Sequence, residues 1–175
     1  MKTFVLVVLS IVGLLLSLVG ITAAIGSQLP VAHVATRSIV IHKSTDEVYK
    51  VIRDVGNAPS WRLDVKSVEL LGNPEGKLNY REHGAQGAVT YELEEEIANQ
   101  RLVTRIVDKD LGYTGSWTYV LTPENAGTRV AITENGEVSN VMFRFLSRYV
   151  FGHTSTIDAY LVSLSKHFGE TPEPS

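Results

Sequence analysis

The chain has 175 residues, of which 44% are hydrophobic and 20% charged, and its formal net charge is −3. Its lysines and arginines are scattered along a weakly acidic chain, so we expect no nucleic-acid partner. The absence of cysteine excludes disulfides, thiolate metal sites and a cysteine nucleophile.

The first segment is apolar and carries no charge between Phe4 and Ile25. As a helix this stretch spans about 33 Å, and the hydrocarbon core of a bilayer is about 30 Å thick. We interpret residues 1–26 as a transmembrane anchor, with a secretory signal cleaved near Ala24 as the alternative. The anchor predicts a single-pass membrane protein with its domain outside the cytoplasm, and the cleaved signal predicts a secreted or periplasmic protein.

A linker is predicted at residues 27–34, followed by a first strand at 34–42. Ser44 and Glu47 have the spacing of a capping box, which predicts a helix that begins directly after Ser44. Pro59 at a first-turn position indicates a second short helix.

From residue 65 onward the chain alternates apolar and polar residues between turn signals, a pattern typical of antiparallel strands. The predicted strands cover residues 65–71, 77–83, 88–98, 101–107, 115–122 and 128–138. Turns are predicted at 72–74 and 84–87, where glycine, asparagine and proline cluster.

The segment from Ser139 to Gly169 carries helix start and stop signals and apolar residues at spacings of three and four. It predicts one amphipathic helix of about 43 Å. The stripe is interrupted at Gly152–Thr156, where we expect either a kink or a flexible point. Residues 170–175 are predicted to be a disordered tail.

The predicted order is one strand, two helices, about six antiparallel strands and one long helix, which indicates an α+β fold. In this fold a curved antiparallel sheet wraps around the C-terminal helix, next to the N-terminal transmembrane helix.

This order, together with three short motifs, resembles the START/Bet v 1-like superfamily. That superfamily is also called SRPBCC and includes polyketide cyclase/dehydrase-like and lipid-transport proteins. The motifs are Pro59-Ser60-Trp61, Trp117-Thr118-Tyr119 and Gly127-Thr128-Arg129-Val130. The resemblance covers residues 35–169. It implies a helix-grip fold with an apolar cavity between the sheet and the terminal helix, which in such proteins mostly holds lipids, sterols, hormones or aromatic polyketides.

Aromatic side chains are the candidates for lining this cavity, because large binding pockets are mostly apolar with a few polar groups. The alternative for each is that it fills the core. The candidate set is Trp61, Tyr80, Tyr91, Tyr113, Trp117, Tyr119, Phe145 and Tyr149.

His153 and Glu95 are the candidates for acid–base catalysis. Glu95 shares strand parity with Tyr91 and is a candidate for the cavity or its rim, and Glu134 is likewise predicted to face inward. Alternation assigns the remaining carboxylates of that strand to solvent: Glu92, Glu94 and Glu96. The histidines have no metal-ligand spacing, so neither a metal nor a cofactor is predicted.

Three functions remain open from the sequence. The leading one is a membrane-tethered binding or carrier domain for a hydrophobic small molecule such as a lipid or isoprenoid. The second is a cyclase or dehydratase acting on an apolar or aromatic substrate in the same cavity. The third is a non-catalytic interaction module whose core is filled by its own side chains.

Overall fold

The computed structural model describes residues 1–72, 76–85 and 87–172. Its elements in chain order are α1 (Lys2–Gln28), β1 (Ala32–Ile41), α2 (Thr45–Arg53), a 3₁₀ helix (Val55–Ser60), β2 (Val65–Leu71), β3 (Asn79–Gly84), β4 (Gly87–Ile97), β5 (Arg101–Ile106), β6 (Tyr113–Glu124), β7 (Gly127–Val138), α3 (Val141–Leu146), a π-helical turn (Ser147–Phe151) and α4 (Ser155–His167). The turns predicted at 72–74 and 84–87 and the tail predicted at 170–175 lie partly outside the described residues.

The strands form one curved antiparallel sheet of seven strands in the order β1-β7-β6-β5-β4-β3-β2. Strands β1 and β2 lie at opposite edges, and α2 with the 3₁₀ helix makes the crossover between them. The predicted α+β helix-grip class is confirmed, with strand bounds within two residues of those predicted.

Helix α2 begins at the predicted capping box. The Ser44 hydroxyl accepts a hydrogen bond from the Glu47 backbone N–H at 3.3 Å, and the Glu47 carboxylate accepts one from the Ser44 N–H at 3.0 Å. The two bonds satisfy backbone donors that a helix start leaves unpaired. The helix then buries Val48 and Ile52 in the core.

The core lies between α4 and the inward face of the sheet. Ile157, Leu161 and Leu164 on α4 are fully buried, as are Val130 and Ile132 on β7. Burial of a side chain of this size contributes about 1.5–3 kcal/mol, so α4 is held mainly by its apolar face.

The prediction of one continuous C-terminal helix is wrong, because the segment is divided at Gly152. Gly152 has φ 77° and ψ 156°, a conformation that is not helical and that essentially only glycine adopts. Asn140 caps the first part, since its side-chain oxygen accepts from the Met142 and Phe143 N–H groups. The second part ends as predicted, with Gly169 at φ 76° just past the helix.

Helix α1 is long and apolar enough to cross a membrane. It continues to Gln28 while β1 begins at Ala32, so the connection is shorter than the predicted linker at 27–34. Its last turns pack against α3. The approach is close: a Cβ atom at Gly26 would overlap the carbonyl oxygen of Val141, so glycine is required there.

Candidate functional site

A small cavity lies between strands β3 to β6 and the segment that runs from the end of α2 through the 3₁₀ helix. Its volume is about 30 Å³, roughly a tenth of the smallest typical small-molecule pocket, about 300 Å³. Aliphatic side chains form part of the wall. The rest of the wall is aromatic or polar: Arg53, Asp54, Trp61, Arg62, Tyr80, Glu82, Thr104 and Tyr119.

A buried ion pair borders the cavity. The Arg62 guanidinium donates from Nη1 to Glu82 Oε1 at 2.7 Å and from Nη2 to Asp64 Oδ2 at 2.6 Å. The side chains of Arg62 and Glu82 are 12% and 11% exposed. The guanidinium also lies 5.1 Å from the ring centroid of Tyr160 on α4, in cation–π geometry. The ion pair therefore links β3, the loop before β2 and α4.

Burial and charge act against each other in this pair. Burial disfavours the charged form of Arg62, but Glu82 and Asp64 outweigh that effect and raise the pKa of the guanidinium. Burial also raises the pKa of the Glu82 carboxyl, and Arg62 offsets part of that rise. The result is a permanent cation in an apolar wall, a group suited to orienting the polar end of an otherwise apolar molecule.

The aromatic groups around the pair provide further hydrogen-bond donors. Burial raises the pKa of the Tyr80, Tyr119 and Tyr160 hydroxyls, so these groups stay protonated. The Trp61 indole Nε1 is buried and has no hydrogen-bond partner among the described residues. A buried donor of this kind is rare, and an acceptor atom on a bound molecule would satisfy it.

Five of the eight predicted aromatic residues gather at or next to the cavity. Trp61, Tyr80 and Tyr119 line it directly. Tyr91 stacks on Tyr80 with ring centroids 5.4 Å apart, and Trp117 lies 6.1 Å from Tyr119. Tyr80, Tyr91, Trp117 and Tyr119 are on the sheet, and Trp61 follows the 3₁₀ helix on the other side of the cavity.

The other three aromatic residues lie outside the cavity. Tyr113 is exposed at the start of β6. Phe145 and Tyr149 pair with each other at 5.2 Å on α3 and the π-helical turn. For Phe145 and Tyr149 the reason is the division of the C-terminal segment at Gly152, because the part before Gly152 packs beside α1 and only the part after it contributes buried residues to the core.

Glu95 also lies outside the cavity. A β-bulge between Leu93 and Glu95 reverses the alternation on which its inward prediction rested. Glu95 is instead exposed and pairs with Arg101 at 3.1 Å. Its neighbour Glu96, predicted to face solvent, accepts hydrogen bonds from Tyr49 and Arg53 on α2.

His153 lies at the division between α3 and α4, in a cluster separate from the cavity lining. Its ring stacks on His33 with centroids 4.2 Å apart, and burial, His33 and Arg148 lower its pKa. Glu134, which shares the inward side of β7 as predicted, accepts from Trp117 Nε1 at 3.0 Å and lies 3.2 Å from His33 Nε2. These contacts join the residues next to Gly152 to strands β1 and β7.

Sequence reasoning missed Arg62, Glu82 and Tyr160. Glu82 shares strand parity with Tyr80, which the sequence analysis did select, so alternation alone could have found it. Tyr160 lies in the apolar stripe three residues after Ile157, a position that marked it as inward. Arg62 had no such signal, because its loop has no regular period.

Among the residues that the structure describes, no group of three or more His, Cys, Asp or Glu residues is arranged to hold a metal ion. The polar groups of the cavity wall include the Arg62–Glu82 ion pair, tyrosine hydroxyls and the Trp61 indole N–H. Such a set can orient a ligand and donate hydrogen bonds to it.

Solved structures with a similar fold are known. A START superfamily protein from Mycobacterium smegmatis has a TM-score of 0.63 at 15% identity, over 78% of this chain and 97% of that one. The Zhui aromatase/cyclase from a Streptomyces species has a TM-score of 0.62 at 14% identity, over 79% and 94% of the two chains. The di-domain ARO/CYC StfQ from the steffimycin biosynthetic pathway has a TM-score of 0.61 at 9% identity, over 76% of this chain and 49% of that one. At these identities the likeness shows the fold alone.

No curated protein sequence matches the chain. Residues 32–155 match the protein family described as polyketide cyclase / dehydrase and lipid transport. Because that match spans more than half of the chain, the protein belongs to this family.

Proposed function

We propose that the protein is a membrane-tethered binding or carrier domain for a hydrophobic small molecule. The observation that carries the proposal is the buried Trp61 indole N–H, which has no hydrogen-bond partner in the described part of the chain and lies beside the Arg62–Glu82 ion pair. A ligand with an apolar body and one acceptor group, such as a lipid or isoprenoid carrying a carbonyl, carboxylate or phosphate, matches these features.

The cavity in this structure is far smaller than such a ligand. Ligand entry therefore requires displacement of part of the wall. The segment best suited to move is the 3₁₀ helix Val55–Ser60, because hydrogen bonds in 3₁₀ geometry are weaker than those of an α-helix. Its movement would carry Trp61, which follows directly, away from Tyr160.

Helix α1 supplies the tether in this proposal, uncleaved and with the domain outside the cytoplasm. Its length and apolar character support a membrane span. The positive-inside rule favours neither orientation, because Lys2 and the amino terminus lie at one end of α1 and Arg37 and Lys43 follow the other end. Labelling Leu63→Cys on intact cells with a membrane-impermeant maleimide decides between them, since the natural chain has no cysteine. Labelling supports the external domain, and protection of the thiol overturns it.

The binding proposal is tested by native mass spectrometry of the full chain extracted from cell membranes. Leu93→Trp fills the cavity, because Leu93 is part of its wall. Val120→Trp is the matched control, because Val120 is exposed on β6. We expect one apolar molecule bound to the wild type and to Val120→Trp, and its loss in Leu93→Trp. Equal adducts in all three proteins, or none in any, would overturn the proposal.

The small cavity itself favours a second function, an interaction module whose core is closed by its own side chains. In that case Leu93→Trp would lower the stability of the domain without removing a bound molecule. Comparing thermal unfolding of the three proteins with their adduct spectra separates the two functions.

A further inference from the structure

The segment Val141–Phe151, comprising α3 and the π-helical turn, exposes large apolar side chains. Phe143 is 46% exposed, Tyr149 60%, Val150 59% and Phe151 61%. Phe143 and Val150 are seven residues apart and Phe151 follows, a spacing that places them on one side of the segment, so we treat the four exposed side chains as one patch. Exposed patches of this kind mark contact with another apolar surface.

The patch lies beside the end of α1. The hydroxyl of Thr22 is 3.6 Å from Met142 Sδ, and Gly26 packs against the Val141 backbone. Arg144 Nη1 donates to the carbonyl oxygen of Leu29 at 3.0 Å, which fixes α3 to the residue directly after α1. Helix α1 is about 40 Å long at helical rise, and a bilayer's hydrocarbon core is about 30 Å thick, so its last turns reach the polar boundary of a bilayer that it crosses. The segment that carries the patch therefore begins at that boundary.

The charges of the segment suit the same surface. Between Glu137 and Asp158 the chain has no carboxylate, and it carries Arg144 and Arg148. Aromatic side chains together with arginine are typical of segments that lie in the membrane interface. Basic residues near an anionic leaflet are attracted to its surface.

We propose that Val141–Phe151 is an in-plane membrane anchor, which docks on an anionic phospholipid bilayer beside α1 and inserts Phe143, Val150 and Phe151. This inference rests on the tether in the proposed function and adds a second contact to it. It fixes the orientation of the domain on the membrane, with the α3 end of the molecule toward the lipid.

The absence of cysteine allows a nitroxide label at single introduced positions in the full chain. Three variants are reconstituted in vesicles of phosphatidylcholine and phosphatidylglycerol: Phe151→Cys in the patch, Leu14→Cys within α1, and Leu63→Cys as the control. Leu63 is also exposed, but it lies just before β2, at the sheet edge opposite to β1. Power-saturation measurements compare collisions of each label with oxygen, which partitions into lipid, and with a water-soluble nickel chelate.

We expect the labels at positions 14 and 151 to favour oxygen and the label at position 63 to favour the nickel chelate. A position 14 label in lipid with a position 151 label in water overturns the anchor and leaves the tether standing. A position 14 label in water overturns the tether and, with it, the anchor. A position 151 label shielded from both reagents indicates burial against protein and overturns the lipid assignment.

The anionic requirement is tested by omitting phosphatidylglycerol. The collision rate of the position 151 label with the nickel chelate should rise, because Arg144 and Arg148 lose their attraction to the surface. An unchanged rate would overturn the assignment of anionic lipid. Far-ultraviolet circular dichroism matching the wild type establishes that each labelled variant is folded.

Discussion

Two parts of the C-terminal segment are built from similar residues and lie in different surroundings. In α4, Ile157, Leu161 and Leu164 are fully buried against the sheet. In α3 and the π-helical turn, Phe143 and Phe151 remain exposed although they are as apolar. Apolar residues at helical spacing therefore indicate a face that packs against an apolar surface, but they do not identify that surface. For α4 the surface is the protein core, and for the anchor segment we propose the bilayer.

The largest expected effect is on the free energy of unfolding, and it compares a buried position on α4 with an exposed position on the π-helical turn. Leu161→Ala should lower the free energy of unfolding by about 2–5 kcal/mol, because it leaves a cavity in a closely packed core. Phe151→Ala is the matched truncation on the other part, and exposed positions change stability by no more than about 0.5 kcal/mol. Chemical denaturation of the full chain in detergent, followed by tryptophan fluorescence, measures both values. Equal losses would contradict the comparison.

The next test concerns the buried Arg62–Glu82 ion pair, in which Arg62 contacts Tyr160 of α4. Glu82→Met leaves the buried Arg62 with only Asp64 as its carboxylate partner, and we expect a loss of about 3 kcal/mol. The double variant Arg62→Met/Glu82→Met removes both charges and should regain most of that stability, because apolar residues can replace a buried ion pair. A double variant no more stable than Glu82→Met would show that the pair itself is needed to hold α4.

A smaller effect is expected at the division between the two parts. Gly152→Ala should cost about 1–3 kcal/mol, since Gly152 has a backbone conformation that alanine rarely adopts. The new Cβ would meet open space, so strain rather than a clash is tested. Gly72→Ala is the control, because its Cβ is also unobstructed and its φ is not positive. A more stable Gly152→Ala protein would mean that one continuous helix had replaced the division.

The smallest expected effect is a pH dependence at the same place. His153 has a lowered pKa in the folded state through burial and the neighbouring His33 and Arg148, with Glu134 acting in the opposite direction. The unfolded chain therefore binds its proton more readily, and stability falls as pH decreases from the unfolded pKa of about 6.5 toward the lower folded value. Unfolding free energies between neutral and mildly acidic pH should fall less steeply in His153→Asn than in the wild type. Identical slopes would contradict a role for His153.

The local elements could be predicted from the sequence because their signals are short-range. The capping box at Ser44 and Glu47, the alternation of β6 and β7 and the terminal Gly169 all follow from backbone chemistry within a few residues. The inward position of Tyr119 followed from the same alternation.

The remaining features depend on contacts between distant residues. The bulge at Leu93 and Glu95 reverses the parity of the rest of β4, and no local signal identifies it. The Arg62–Glu82 pair joins a loop to a strand and is recognised only when both are in place. The interruption at Gly152–Thr156 was visible in the sequence. The division into two helices could not be predicted from it, because it depends on α3 packing against α1 and α4 packing against the sheet.

The connection between α1 and β1 is only three residues long, Leu29 to Val31. Fully extended, three residues reach about 10 Å, and Arg144 holds the first of them at its carbonyl oxygen. In the tethered arrangement that we propose, a domain on so short a connection could not carry a ligand across an aqueous gap between two membranes. The proposed exchange would then take place at the leaflet that holds α1, with a donor or acceptor that comes to that leaflet.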